Sequence, residues 1–144
     1  MIQRIQSLYL AIVTLLSAIV ASYIPLWYEG EKQAVFGYQF LKSDDYLLMS
    51  LAIGFILVVV LSLISIFKFK KRKIQFMLNR VNIIVNLYLI GVLLYYLLNL
   101  SGETVVSEKG IGSFIPIMNI VLLAFANKAI QKDENLVKSV DRLR

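Results

Sequence analysis

The chain has 144 residues, 59% of them hydrophobic and 17% charged, with a formal net charge of +6. A soluble domain is roughly 45 to 50% apolar, so most of this surface is built for lipid. Cysteine and histidine are both absent, which excludes disulfides, thiolate nucleophiles, and the commonest nitrogen metal ligand and neutral-pH base; no metal or other cofactor is expected.

A helix of about 20 apolar residues crosses a hydrocarbon core about 30 Å thick. Ser7 to Tyr28 carries no charge over 22 residues and is the first expected span. Arg4 ahead of an apolar run, with the small residues of "SAIVAS", also fits a cleavable signal. Signal cores run only about 7 to 15 residues, however, and here the run continues through Pro25, Leu26, Trp27 and Tyr28. In the loop from Glu29 to Asp45, Ala34, Phe36, Tyr38 and Phe40 alternate, predicting a strand with an aromatic face loosened at Gly37. "SDDY" predicts a helix start capped by Ser43 or Asp44. A divalent-cation site at Asp44 and Asp45 is the sharper alternative, but two acids fall well short of about six oxygen ligands.

Tyr46 to Phe67 is the second expected span and Val81 to Leu100 the third, separated by the basic run "KFKKRK" at 68–73. The loop "SGETVVSEKG" offers Thr104 to Val106 as a second strand, which would pair with the first as a small β-ribbon. "NLS" at 99–101 matches a glycosylation sequon but sits at a membrane edge and is discounted. The fourth span starts at Ile111 and reaches Ile130 if Lys128 snorkels, with a bend expected at Pro116. In the tail, 131–144, Leu136, Val140 and Leu143 form an apolar line and Glu134 precedes Lys138 by four, predicting an amphipathic helix. The expected fold is therefore an all-α, four-helix transmembrane domain with spans at about 7–28, 46–67, 81–100 and 111–130.

Charge orients these spans. Twelve of the 15 Lys and Arg residues precede the first span, lie between the second and third, or follow the fourth. This bias predicts both termini and the basic run on the cytoplasmic side of the membrane. "KFKKRK" then reads as a topology signal and a contact for anionic headgroups. Nucleic acid is not an expected partner, because orientation already accounts for the net charge.

Between helices in lipid, small and polar side chains mark packed faces. Ser7, Ala11, Thr14, Ala18 and Ala21 form one such stripe in the first span. Ser50, Gly54, Ser62 and Ser65 lie near one side of the second, and Gly112, Pro116, Asn119 and Ala126 follow a comparable line in the fourth. Asn82, Asn86 and Asn119 are the amides expected at membrane depth. They read either as helix glue, bonded to Ser or Thr hydroxyls and carbonyls freed near Pro116, or as a polar face for a lipid, neutral solute or partner helix. Tyr23, Trp27, Tyr28, Tyr46, Tyr95 and Tyr96 fit an interfacial belt. The span interiors hold no ionisable carboxylate or cation, which argues against ion-coupled transport. "GIGSF" lacks the G-x-S-x-G pattern and any His or Cys partner, so no enzyme is expected.

"MIQRIQSLYL", "MLNRVNIIVNLYLIG" and "FANKAIQKDENLVKSVDRLR" resemble, over the whole chain, a family of small inner-membrane proteins from Bacteroidota catalogued only as a domain of unknown function. The likeness is most specific at "MIQRIQ" and "KDENLVKSVDRLR" and loose in "GEKQAVFGYQFLKSDD". It implies four spans and carries no catalytic residue. It draws attention to Gln3, Arg4 and Gln6, to Asn79, Arg80 and Asn82, and to Lys132, Asp133, Asp141, Arg142 and Arg144, all expected at the inner ends of the helices. A docking network is expected there, in which Arg4 and Arg80 pair with Asp133, Glu134 or Asp141, beside Asn79 and Arg142, and hold the tail beneath the spans. The functional expectation is an accessory or scaffold subunit working with a protein partner or a second copy. The alternative is a small lipid or neutral-solute binding or transport protein using the Asn-lined face.

Overall fold

The computed structural model describes residues 3–29, 33–99 and 110–142, with the side chains of 3, 4, 29, 141 and 142 outside that description. Four long helices dominate it: α1 (Gln3–Ser22), α2 (Tyr46–Phe67), α3 (Arg72–Asn99) and α4 (Ile115–Arg142). All four are long and apolar enough to cross a membrane. At 1.5 Å per residue α1 is about 30 Å long and α4 about 42 Å, so α4 exceeds the hydrocarbon thickness and carries the tail as a direct continuation. Each helix packs on its neighbours in sequence, and α4 closes the ring against α1.

Helix ends depart from the uncharged runs for local reasons. α1 stops at Ser22, three residues before Pro25, whose ring disfavours the helical conformation at Ile24. The chain then forms β1 (Trp27–Glu29), paired antiparallel with β2 (Gln33–Val35), Tyr28 opposite Ala34. The long aromatic strand does not form. Beyond Val35 the chain turns into a 3-10 helix, Gly37–Lys42, because Gly37 presses against the α1 backbone, where an added Cβ would lie 3.2 Å from the Cα of Ala21. Thr104 to Val106 and Leu143 lie outside the described residues.

Asp45, rather than Ser43 or Asp44, caps α2: its Oδ1 accepts from the Leu47 N–H at 2.9 Å, and its own N–H donates to the Ser43 hydroxyl at 3.2 Å. α3 begins inside the basic run, leaving only Lys68 to Lys71 to connect it to α2. Pro116 is the second residue of α4; there its missing N–H costs nothing, so it starts the helix instead of bending it.

Two faces differ from the small-residue pattern. α1 buries Gln6, Leu10, Val13, Ser17 and Val20 while Ala18 is exposed, so its packed line is rotated from the expected stripe. Thr14 bonds back to the Leu10 carbonyl at 2.9 Å. On α2, by contrast, Gly54, Ser62 and Ser65 are buried. Gly54 permits close approach to α3, since a Cβ there would lie 2.6 Å from a methyl of Leu89.

At the end of the bundle opposite the basic run, Trp27 is buried at 3% exposure, stacked on Phe40 at 5.2 Å and on Tyr96 at 6.0 Å between centroids. Trp27 and Tyr96 thus form a small cap core, whereas Tyr23 and Tyr46, at 80% and 87% exposure, suit an interfacial belt. The residues before α4 dock on the same cap. The Gly112 N–H donates to the Pro25 carbonyl at 3.2 Å, and a Cβ on Gly110 would fall 2.3 Å from that oxygen.

Candidate functional site

Among the described residues every buried polar side chain is neutral: Gln6, Ser17, Ser62, Ser65, Gln75, Asn79, Asn82, Asn86 and Asn119. Helical periodicity explains why those of α3 converge. Asn79, Asn82 and Asn86 are spaced three and four apart, one stripe of an α-helix, and that stripe faces the bundle axis. Asn119 arrives on α4 at the level of Asn86 because the two helices run antiparallel.

These amides join all four helices. Asn82 donates to the Ser62 hydroxyl of α2 at 2.8 Å and to the Val58 carbonyl at 3.3 Å. Asn86 donates to the carbonyl and side-chain oxygens of Asn82 at 2.9 and 3.1 Å. Asn119 donates to Asn86 Oδ1 at 3.2 Å and to the Ser17 hydroxyl of α1 at 2.8 Å. The chain of bonds runs α2 to α3 to α4 to α1, through side chains and helix carbonyls and without any carbonyl freed by Pro116. One heptad below Asn86 on α3, Asn79 donates to Asn127 Oδ1 at 3.0 Å and accepts from the Ser65 hydroxyl at 2.7 Å.

A third rung lies one heptad lower again. Arg72 and Asp133 form an ion pair at 3.0 Å, with side chains 24% and 14% exposed. Residues 72, 79 and 86 of α3 thus meet 133, 127 and 119 of α4, a ladder of near-heptad spacing between antiparallel helices. The expected docking network is distributed differently. Asp133 is taken by Arg72, Glu134 pairs with Lys138 at 2.9 Å, and Arg80 lies over the Phe76 ring at 4.4 Å. The side chains of Arg4, Asp141 and Arg142 are outside the described set. The role of Arg72 is hidden in sequence because it lies within the basic run, where its charge matches the orientation bias of its neighbours. The pairing of Asn86 with Asn119 would have exposed it, since 72 and 133 both lie 14 residues farther toward the basic end.

Some buried polar atoms have no protein partner: both amide atoms of Gln75, Nε2 of Gln6 and Oδ1 of Asn119. Gln75 lies 11 residues from Asn86 and Gln6 11 residues from Ser17. The two glutamines therefore sit at one depth on opposite helices, about 16 Å below the Ser17, Asn86 and Asn119 level. No group of three carboxylates gathers to hold a metal among the described residues. Asp45 is committed to its cap and to the Tyr96 hydroxyl, which donates to Oδ2. That hydroxyl and the Leu47 N–H hold the Asp45 carboxyl below the usual carboxylate range.

A family model described as Domain of unknown function (DUF4293) matches residues 2–143. No curated protein and no solved structure matches the chain.

Proposed function

The chain belongs to the DUF4293 family, and from that premise we propose that it is a multi-pass inner-membrane protein with both ends in the cytoplasm, serving as an accessory or scaffold subunit of a larger membrane assembly and not as a catalyst. The observation that carries the reading is the amide chain from Ser62 through Asn82, Asn86 and Asn119 to Ser17, which bonds the helices to one another. A bundle interior tied up in this way, and uncharged, leaves the outer surfaces for recognition. The most prominent is the extension of α4, where Leu136, Val137 and Val140 are exposed, Val140 at 64%.

A photo-crosslinking residue at Val140, introduced into the chain in its native membrane, tests this. One recurrent protein adduct that also co-purifies in fixed stoichiometry is the expected result; a tail that reacts only with lipid would refute it. Reporter fusions after residue 75 and residue 144 are expected on the same side of the membrane.

The unpartnered amide of Gln75 and the unpartnered Nε2 of Gln6 favour a second reading, a small lipid or neutral-solute binding protein. A small molecule retained through purification and lost in Gln75→Leu would support it over the scaffold.

A further inference from the structure

The connection between α2 and α3 and the extension of α4 bound an open crevice of about 680 Å³, with Phe69 to Ile74 on one wall and Glu134 and Val137 on the other. Its charge is unbalanced. Arg72 is held by Asp133 and Glu134 by Lys138. Among the described residues no carboxylate lies within ion-pair distance of Lys70, Lys71 or Lys73, and Glu134 on the facing wall acts on Lys73 only at longer range. The positive end of the α3 dipole adds to this, because α3 opens at Arg72 with no acidic residue in its first turn. Three ammonium groups and a helix start thus surround one concavity at the level where the apolar helices begin.

The apolar part of the crevice decides what kind of anion it suits. Phe69, Ile74 and Val137 are each between 42% and 46% exposed and line the same crevice as the lysines. A free phosphate would gain nothing from them, whereas a phospholipid brings its charge and its glycerol and acyl segments together.

We infer that this crevice seats the phosphodiester of an anionic phospholipid, with Lys70, Lys71 and Lys73 around the phosphate and Phe69, Ile74 and Val137 against the glycerol and upper acyl chain. The bound lipid would bridge the α2–α3 connection and the α4 extension. This rests on the membrane-spanning bundle, and neither on the protein partner proposed above nor on which compartment the basic end faces.

The test uses the full chain in phosphatidylcholine nanodiscs, reading the affinity of spin-labelled phosphatidylglycerol relative to spin-labelled phosphatidylcholine. Lys70→Gln and Lys73→Gln are each expected to lower that preference about fivefold, the equivalent of about one surface charge. Lys132→Gln removes the same charge from α4 outside the crevice, and with the lipid seated in the crevice it is expected to change the preference less than either crevice substitution does. Lys73→Arg should retain the preference, and thermal unfolding in phosphatidylcholine alone should be the same for all variants. Equal losses for the crevice lysines and Lys132 would assign the effect to diffuse surface charge and overturn the site. Displacement of the labelled lipid by inorganic phosphate as effectively as by unlabelled phosphatidylglycerol would overturn the lipid assignment.

Discussion

The hydrogen bond from Asn119 to Ser17 is the link by which the amide chain reaches α1, and removing it is a direct test of how the bundle is held. Interhelical hydrogen bonds in membranes average about 0.6 kcal/mol and reach about 1.7. Asn119 makes two, at 2.8 and 3.2 Å, so its replacement by alanine loses about 1 to 3 kcal/mol. Part of that loss is offset, because Asn119 Oδ1 is buried without a partner and no longer has to be kept from water. A single substitution therefore mixes two opposing effects. A double-mutant cycle of Ser17→Ala with Asn119→Ala separates them, since the orphaned oxygen is deleted on both sides of the cycle. The expected coupling is about 0.6 to 1.7 kcal/mol. Unfolding in mixed micelles can be followed through the emission of Trp27, the one tryptophan, which sits in the cap core. Coupling indistinguishable from zero would show that the amide does not bridge α1 and α4. Asn86→Leu provides the companion measurement: it removes three bonds that are all made, with an expected cost of about 2 to 4 kcal/mol. A stable but inactive Asn86→Leu protein would instead argue that the amides serve a ligand.

Gly110→Ala drives a Cβ to within 2.3 Å of the Pro25 carbonyl, a backbone atom that cannot swing aside; about 1 to 3 kcal/mol of destabilisation is expected, seen as a lowered melting temperature in detergent. Asp45 titrates below its usual range when folded, so its contribution to stability is complete above about pH 4 and disappears as pH falls through the depressed value. Asp45→Asn should flatten that acid limb of the stability curve, and an unchanged limb would remove Asp45 from the account. Arg72→Gln breaks the pair with Asp133 at a partly exposed site, with an expected cost of about 1 kcal/mol or less. Its clearer readout is faster amide hydrogen exchange in α4 beyond residue 133, with exchange around Asn119 unaltered.

The four spans were legible because an uncharged run of about 20 residues has few alternatives. The inward face of α3 was legible for a similar reason: Asn82 and Asn86, four residues apart on one helix, have no other inexpensive location in lipid. The end of α1 was not, since hydropathy continues smoothly from Ser22 through Tyr28 while the backbone changes conformation before Pro25. Trp27 was misplaced to the lipid interface because its burial depends on Phe40 and Tyr96, residues that only the folded cap brings together. Pro116 was read as a bend because the uncharged run began before it, and the true helix start fell one residue ahead of it. The Arg72–Asp133 pair required knowing that α3 and α4 are antiparallel neighbours, and at which register.

That register has a mechanical meaning. The rungs at Arg72, Asn79 and Asn86 all cross between the same two helices, so sliding α4 along α3 by even one residue's rise would misalign them together. Piston-like travel of the tail is opposed by three contacts at once, whereas tilting α3 and α4 together as a pair leaves all three made.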